Sequence, residues 1–413
     1  MKYLILVDVQ YPYSVGETFL ENEIREIAPR FDQVLIFPAD LLAGEKQIRS
    51  IPDNVRACLF ETENPTFRKA KAALRALPRV PANHGSLKTR FWDAYFEAAA
   101  KDQAKKILRI LEEYTFSPED EVTLYSYWLY IPARIVVELK HWFLGKGVPV
   151  RAVSRAHRFD LYEQHADRGY LPERQLLLRE LDRVCVCSQD GAVYLRRKFP
   201  AYADKIGVSL LGTYDHSIGR ESHRPFQILS CSRLVEMKRV DMIAEAMVSL
   251  ISKGYDICWT HLGDGDQMGK VRKKIPEGLE DRIHLPGAIP NSAVYDYYRE
   301  NAVDLFVNAS TSEGLPVSIM EAISFGVPVV ATDVGGTGEI VVNQVTGTLV
   351  PPDITAEGLA QTIAEYYRAD PEQLRRLRTS ARRFWEEHFD AKANYRKFAQ
   401  EFEKIEPRRG ERL

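Results

Sequence analysis

Short runs of Val, Ile and Leu recur along the whole chain, each bounded by turn residues and most followed by a stretch of helical period. The first half carries "YLILVD", "QVLIFP", "VTLYSY", "VPVRAVS" and "RVCVCS", and the second "FQILSCS", "DICWTHLG", "RIHLPG", "VDLFVNAS" and "VPVVATD". Amphipathic stretches lie between them, among them Glu17–Ala28, Pro132–Phe143, Val240–Ser252 and Thr355–Arg368. A strand that is apolar throughout, rather than at alternate positions, is buried on both faces, and strands joined by helices pair in parallel. Right-handed crossovers then wind helices onto both sides of each sheet. The series breaks at "GTYDHSIGRESHRPF" (Gly212–Phe226), a polar stretch without periodicity. We therefore expect an α/β chain of two Rossmann-like, doubly wound domains facing each other across a cleft. The expected domains are 1–217 and 218–390, with a last helix over 391–413 packing back on the first.

Length agrees, because 413 residues exceed what one small core needs. Lys and Arg number 56 against 58 for Asp and Glu, which leaves no positive excess for a nucleic-acid partner. The charge is uneven: Pro65–Arg90 holds seven basic residues and no acid. Cys58, Cys185, Cys187, Cys231 and Cys258 show no CxxC or zinc-ligand spacing and read as buried free thiols of a reducing compartment. "MKYLILVDVQ" reaches Asp8 too soon for a signal peptide, and no apolar run attains the roughly eighteen residues of a membrane span. A cytoplasmic protein is expected, touching a membrane only from the side.

The motifs follow the strands. "EGLPVSIME" sets Glu313 and Glu321 eight apart around Gly-Leu-Pro. Either the acids answer a helix dipole, with Pro316 in the first helical position, or they hold a ligand. "SRLVEMKRVD" places Arg233 and Lys238 at the start of a helix, where two cations beside free amides suit a diphosphate, unless both are solvated. "HLGDGDQMG" misses the GxGxxG spacing, since Met268 holds the third position, and reads better as a tight turn than as a dinucleotide site. Gly335 and Gly336 in "VATDVGGTGEIV" either admit a ligand or make a turn. "YPYSVGETFLENEI" puts Tyr13, Gly16 and Glu17 in or just after the first strand-to-helix loop, and "SRAHRFDLYEQH" puts His157 directly after a strand. No Ser-His-Asp order, HExxH or P-loop is present.

Together these motifs resemble the retaining family 4 glycosyltransferases of GT-B fold. "SRLVEMKRVD" looks like that family's G-R-L-x-x-x-K-G-x-D segment, "HLGDGDQ" like its L-x-G-x-G-P turn, and "EGLPVSIMEAISFGVPVVATDVGGTGEIV" like its E-x7-E region. The N-terminal "YPYSVGETFLENEI", "LYSYWLYIPAR" and "SRAHRFDLYE" look like members acting on bacterial surface polysaccharides. The resemblance implies a nucleotide-diphosphate-sugar donor, UDP favoured over GDP, and a glycan or lipid-linked acceptor. Arg233 and Lys238 would hold the diphosphate, Glu321 the ribose and Glu313 the donor sugar. Backbone amides of Gly314, Leu315 and Val317, and Gly16 from the first domain, would add donor contacts. Ala288 and Ile289 would lie against the base. Tyr13, Glu17 and His157 fall on the acceptor side, and His157 matches the family's A-H-G-x-D position near the reacting sugar. Arg158 stands where that motif has Gly, Ser232 where Gly precedes Arg233, and Asp266 where Pro follows Gly265. The class transfers with retention and needs neither metal nor other cofactor, so none is expected. With Phe67, Phe91 and Trp92, Pro65–Arg90 would rest on an anionic inner leaflet, or be an ordinary solvated face. Two other readings stand beside this one: a sugar-nucleotide epimerase on the same architecture, which would turn over donor without acceptor, and a catalytically silent nucleotide-binding protein.

Overall fold

The computed structural model describes residues 1–14, 17–41, 45–60, 71, 74, 87–166, 169–221 and 224–410. Strands β1 (Lys2–Asp8), β2 (Gln33–Pro38), β3 (Val55–Ala57), β4 (Glu121–Ser126), β5 (Val150–Ala156), β6 (Arg183–Val186) and β7 (Ile206–Val208) form one sheet. Its order is β3-β2-β1-β4-β5-β6-β7, parallel throughout. Strands β8 (Phe226–Cys231), β9 (Ile257–Leu262), β10 (Ile283–Gly287), β11 (Leu305–Asn308), β12 (Val329–Thr332) and β13 (Gly347–Val350) form a second, in the order β10-β9-β8-β11-β12-β13. It too is parallel. Both are Rossmann-like sheets covered by helices.

The period of two along each strand builds two cores per sheet. Tyr3, Ile5 and Val7 join one hydrophobic cluster, whereas Leu4 and Leu6 join the other. The strands missing from the sequence reading are β3, β7 and β13, each three or four residues long and each at a sheet edge. An edge strand is buried less evenly and carries too few apolar residues to register as a run.

The chain divides into a first unit of 1–210 with 392–413 and a second of 211–391, where the sequence suggested a boundary at 217/218. The polar stretch after 210 is pinned to the second unit. Thr213 N donates to Phe389 O at 3.0 Å and its hydroxyl accepts from the Trp385 indole at 2.7 Å. Arg382 pairs with Asp215 at 2.8 Å, and Arg378 donates to Gly219 O at 3.1 Å.

The last helix, Ala391–Glu403, packs on the first unit: Phe398, Ala399 and Phe402 close the face formed by Leu4, Leu6, Tyr125 and Val153. Beneath it lies a wholly buried ion pair, Arg155 Nε to Glu23 at 2.7 Å. Such a pair is costly unless other bonds are made to both groups. Every polar side-chain atom of the pair is met here except Arg155 Nη2, which is buried without a partner among the described residues. Glu23 accepts from Tyr125 OH at 2.5 Å, Arg155 donates to Ser209 O at 2.6 Å, and Phe398 lays its ring 4.1 Å from the guanidinium carbon. Phe398→Ala removes both the apolar contact and the ring over a buried cation, and should cost about 3–5 kcal/mol in urea unfolding. A loss below about 1 kcal/mol would show that the helix is not part of the first unit's core.

Candidate functional site

In the second unit, β11 ends at Asn308 and the following loop runs into the helix Val317–Ser324. Glu313, in that loop, is only 8% exposed. Its Oε1 accepts from Lys238 Nζ at 2.5 Å, Ser310 Oγ at 2.6 Å and Asn308 Nδ2 at 3.2 Å. Lys238 ends a single helical turn, Glu236–Lys238, in the loop after β8. The two loops are stitched by Thr311 N to Met237 O at 2.8 Å and Arg239 Nε to Ala309 O at 2.6 Å, with Arg239 in the left-handed region at φ 45°. From behind, the backbone at Gly335 presses on Glu313: at φ 53°, a Cβ there would stand 2.0 Å from the Glu313 carbonyl oxygen. Gly336 N then donates to Gly314 O at 2.8 Å. The paired glycines thus admit the backbone of 313–314.

Glu321, inside the helix, is 4% exposed. Its Oε1 accepts from Asn291 Nδ2 and Tyr295 OH, both at 3.1 Å and both on the helix Asn291–Glu300. Burial pushes its carboxyl up to about 6, opposed by those two hydrogen bonds. His216 packs on the Tyr295 ring at 4.1 Å. The Cys231 thiol, at the end of β8, is pushed up to about 12 by burial and then by the Glu321 charge, with Lys238 opposing. Pro316, expected as the first helical residue, is instead the N-cap, and Val317 begins the helix. Its amide and that of Ser318 therefore have no acceptor within the helix.

Arg233 is exposed, and among the described residues its side chain has no partner. Gly314 and Leu315 are buried, Val317 and Ile289 half-buried, and Ala288 exposed. The turn carrying Ala288 and Ile289 is held where Gly287 O accepts from Gly263 N at 2.9 Å. Gly263, at φ 146°, passes so close to the loop after β8 that a Cβ would lie 1.9 Å from Ser232 O. Gly263 and Gly265 of "HLGDGDQMG" thus make a turn packed against the Arg233 loop, whereas Gly269 lies in the helix Met268–Arg272.

In the first unit, His157 directly follows β5. Its amide donates to Asp160 Oδ1 at 2.6 Å, and its ring lies 4.8 Å from both Tyr127 and Trp128. Burial, reinforced by Arg155, lowers the imidazole to about 3, so it is neutral, and Nε2 is buried without a partner among the described residues. Glu17, the N-cap of the helix Thr18–Ile27, spends its carboxylate on its own chain. It accepts from Val9 N (3.1 Å), Gln10 N (2.8 Å), Tyr11 N (2.9 Å) and Trp128 Nε1 (2.6 Å). It therefore positions the first loop and the ring beside His157, rather than standing free for an acceptor. Tyr13, half-buried, closes a turn onto Gln10 O at 2.8 Å. Gly16 lies outside the described residues, as does most of Pro65–Arg90, Phe67 included. Phe91 and Trp92 are half-buried and meet edge to face at 5.3 Å.

Sequence reading missed Asn308, Ser310, Asn291, Tyr295 and Trp128. Ser310 stands three residues before Glu313, but Asn291 and Tyr295 reach Glu321 only through the parallel order β10-β9-β8-β11. Asp8, at the end of β1, was also missed: burial and then the Glu17 charge push its carboxyl well above the usual range. Among the described residues no three His, Cys, Asp or Glu side chains gather as a metal-ligand group, and no helix is long and apolar enough to cross a membrane.

Two Rossmann-like parallel-sheet units with charged loops at the carboxyl ends of their strands define a GT-B fold. HepE of Anabaena, solved in complex with UDP, superposes with a TM-score of 0.64 over 98% of this chain and 100% of that one, at 19% identity. Residues 215–384 match the family described as glycosyl transferases group 1, and the chain carries a domain of that family. WcaL of Salmonella typhimurium, named as a glycosyltransferase of colanic acid biosynthesis, is 31% identical over 252 residues. That match covers 59% of this chain and 62% of WcaL. The amylovoran biosynthesis glycosyltransferase AmsK of Erwinia amylovora is 29% identical over 380 residues, 87% of this chain and 88% of AmsK.

The Glu321 environment makes a pH prediction. A folded-state value of about 6, above the ordinary 4.5, means a stability contribution present below about 4.5 and lost as pH rises through about 6. Glu321→Gln has no such charge to bury. Across that window wild type should lose on the order of 1–2 kcal/mol relative to the variant in urea unfolding. Parallel pH profiles would contradict the assignment.

Proposed function

We propose that the protein is a retaining glycosyltransferase that moves a hexose-type sugar from a nucleotide-diphosphate sugar, with UDP favoured over GDP, to a glycan or lipid-linked acceptor in surface polysaccharide biosynthesis. The observation that carries this reading is the Glu313–Lys238 pair standing beside the N-terminus of the helix that holds Glu321. Lys238, Arg233 and the first helix amides meet the diphosphate, and their positive charge stabilises what accumulates on the leaving nucleotide. Glu321, already steered by Asn291 and Tyr295, accepts from the ribose hydroxyls. Glu313 accepts from the donor sugar. Ala288 and Ile289 border the base. The names of WcaL and AmsK support the polysaccharide context, and the UDP in HepE supports the choice of base.

In this reading the acceptor oxygen attacks the anomeric carbon on the face the nucleotide leaves, the C–O bond to the diphosphate breaks, and the leaving phosphate takes the acceptor's proton. No strong protein base is needed, which fits a neutral His157 that offers a hydrogen bond rather than a proton sink. The charge is met by Lys238, Arg233 and the amides without a metal or organic cofactor. The acceptor side is the first unit, near His157 and Tyr13, with Pro65–Arg90 presenting it to an anionic inner leaflet. An epimerase or a silent nucleotide-binding protein would share the donor site, and transfer to an added acceptor separates both from a transferase.

Thermal shift tests the donor site. At a hundredfold excess over its dissociation constant, UDP should add about 2.7 kcal/mol, roughly several degrees, to wild type. Glu321→Ala should lose most of that shift, and GDP and ADP should give less. If no nucleoside diphosphate shifts the melt, or the variant responds as wild type does, the donor site is not where it is placed here.

A further inference from the structure

The first unit holds a pocket of about 60 Å³ whose walls include the rings of Trp92, Tyr130, Phe159 and Tyr170, with Leu171 and Pro172 at its edge. Phe159 is 47% exposed, an uncommon position for a ring on a well-anchored loop. A single exposed apolar side chain needs no explanation. This one converges with three other rings: Tyr130 meets Phe159 edge to face at 6.1 Å and 76°. Trp92 is braced by Tyr95 at 5.5 Å.

Both walls are fixed by carboxylates, Asp160 buried and Asp93 half-buried. On one side, Asp160 takes the amides of His157 at 2.6 Å and Leu129 at 2.5 Å, and Arg174 donates to the carbonyls of Leu129 and Asp160 at 2.8 and 2.5 Å. Phe159 is thus presented from a loop held at its neighbours. On the other side, Asp93 accepts from Tyr170 OH at 2.8 Å and Glu173 N at 2.9 Å. The rings are preorganised, and ordering them for a ligand costs little further entropy.

We propose that this pocket is a subsite for a pyranose unit of the acceptor glycan, stacked on Phe159 and Trp92, two residues along the loop from His157. The proposal rests on the transferase reading given above and names the acceptor side of it. A pyranose presents one face of C–H bonds, which the negative face of an aromatic ring attracts, and a rim of hydroxyls that needs polar neighbours. Tyr170 and Tyr130 bring phenols to the wall, and Arg158 and His165 flank Phe159 and Ala166 in the chain. A lipid chain fits the place less well. The Tyr170 phenol in its wall and the Asp93 carboxylate that accepts from it put polar and charged groups where an alkyl chain would lie.

Saturation-transfer NMR on the full chain, without donor, tests this with the methyl glycosides of glucose, galactose, mannose and N-acetylglucosamine. At least one should receive saturation from wild type. Its affinity should fall about tenfold in Phe159→Ala and persist in Phe159→Tyr, while the UDP-induced thermal shift stays at the wild-type value in both. No transfer to any glycoside, equal transfer to wild type and Phe159→Ala, or displacement of the glycoside by farnesyl phosphate would overturn the proposal. A missing UDP shift in wild type would instead count against the donor site.

Discussion

The Lys238–Glu313 contact is the constraint around which the second unit's loops are arranged. It joins the loop after β8 to the loop after β11, two neighbouring strands, and sits where a doubly wound sheet places its ligands, at the carboxyl ends of the strands. A largely buried carboxylate beside a half-buried ammonium is costly unless the remaining lone pairs are used. Here Ser310 and Asn308 add two neutral donors to Oε1, the oxygen that Lys238 also meets. In the proposed function both members of the pair are groups that a sugar diphosphate would recruit. A diphosphate would compete for Lys238, and the carboxylate it left behind would keep its two neutral donors and gain room for sugar hydroxyls. Under that proposal the ion pair would hold two binding groups in place before the donor arrived, which is how a site limits reorganisation on binding.

The first unit uses carboxylates differently. Glu17 and Asp160 are consumed by backbone amides, and each holds a loop that carries aromatic rings to the strand ends around His157. Hydrogen bonds from several amides to one carboxylate are among the stronger a protein makes, and they let a loop keep one shape without regular structure. Deeper in the same unit, Glu23 and Arg155 are sealed by the last helix, so that a segment more than two hundred residues away in sequence completes the first core. The two units thus use charge differently: in the second it joins two loops at strand ends, where the proposed function places the donor, and in the first it fixes a frame.

Much of this was legible in the sequence, and what was not has a physical cause. The strands β1 and β2 announced themselves by unbroken aliphatic runs, Leu4–Val7 and Val34–Ile36, and Val240–Ser252 was read to its boundaries because nothing interrupts its period. The edge strands β3, β7 and β13 were missed because they are only three or four residues long and lie open on one side. Glu313 and Glu321 were visible as a motif; their partners were not. Asn291 and Tyr295 reach Glu321 across three strand pairings, and no local pattern encodes that distance. Glu17 was visible as an acid at a helix start, where the dipole accounts for it, but its four donors come partly from Trp128, more than a hundred residues on. The glycines at 335 and 263 could be seen as turns, while the backbone they make way for became visible only once the loops were folded together.

The most direct test of the account is a calorimetric titration of UDP into wild type, Lys238→Met, Glu313→Gln and the double variant. If the pair holds the lysine in reserve for a diphosphate, Lys238→Met weakens UDP by about tenfold or more. Glu313→Gln, which releases the lysine, binds UDP as well as wild type or better. The two effects should then fail to add, because each substitution removes the same contact. If Glu313→Gln instead loses UDP as severely as Lys238→Met does, the pair is a structural tie between two loops and the donor does not engage it.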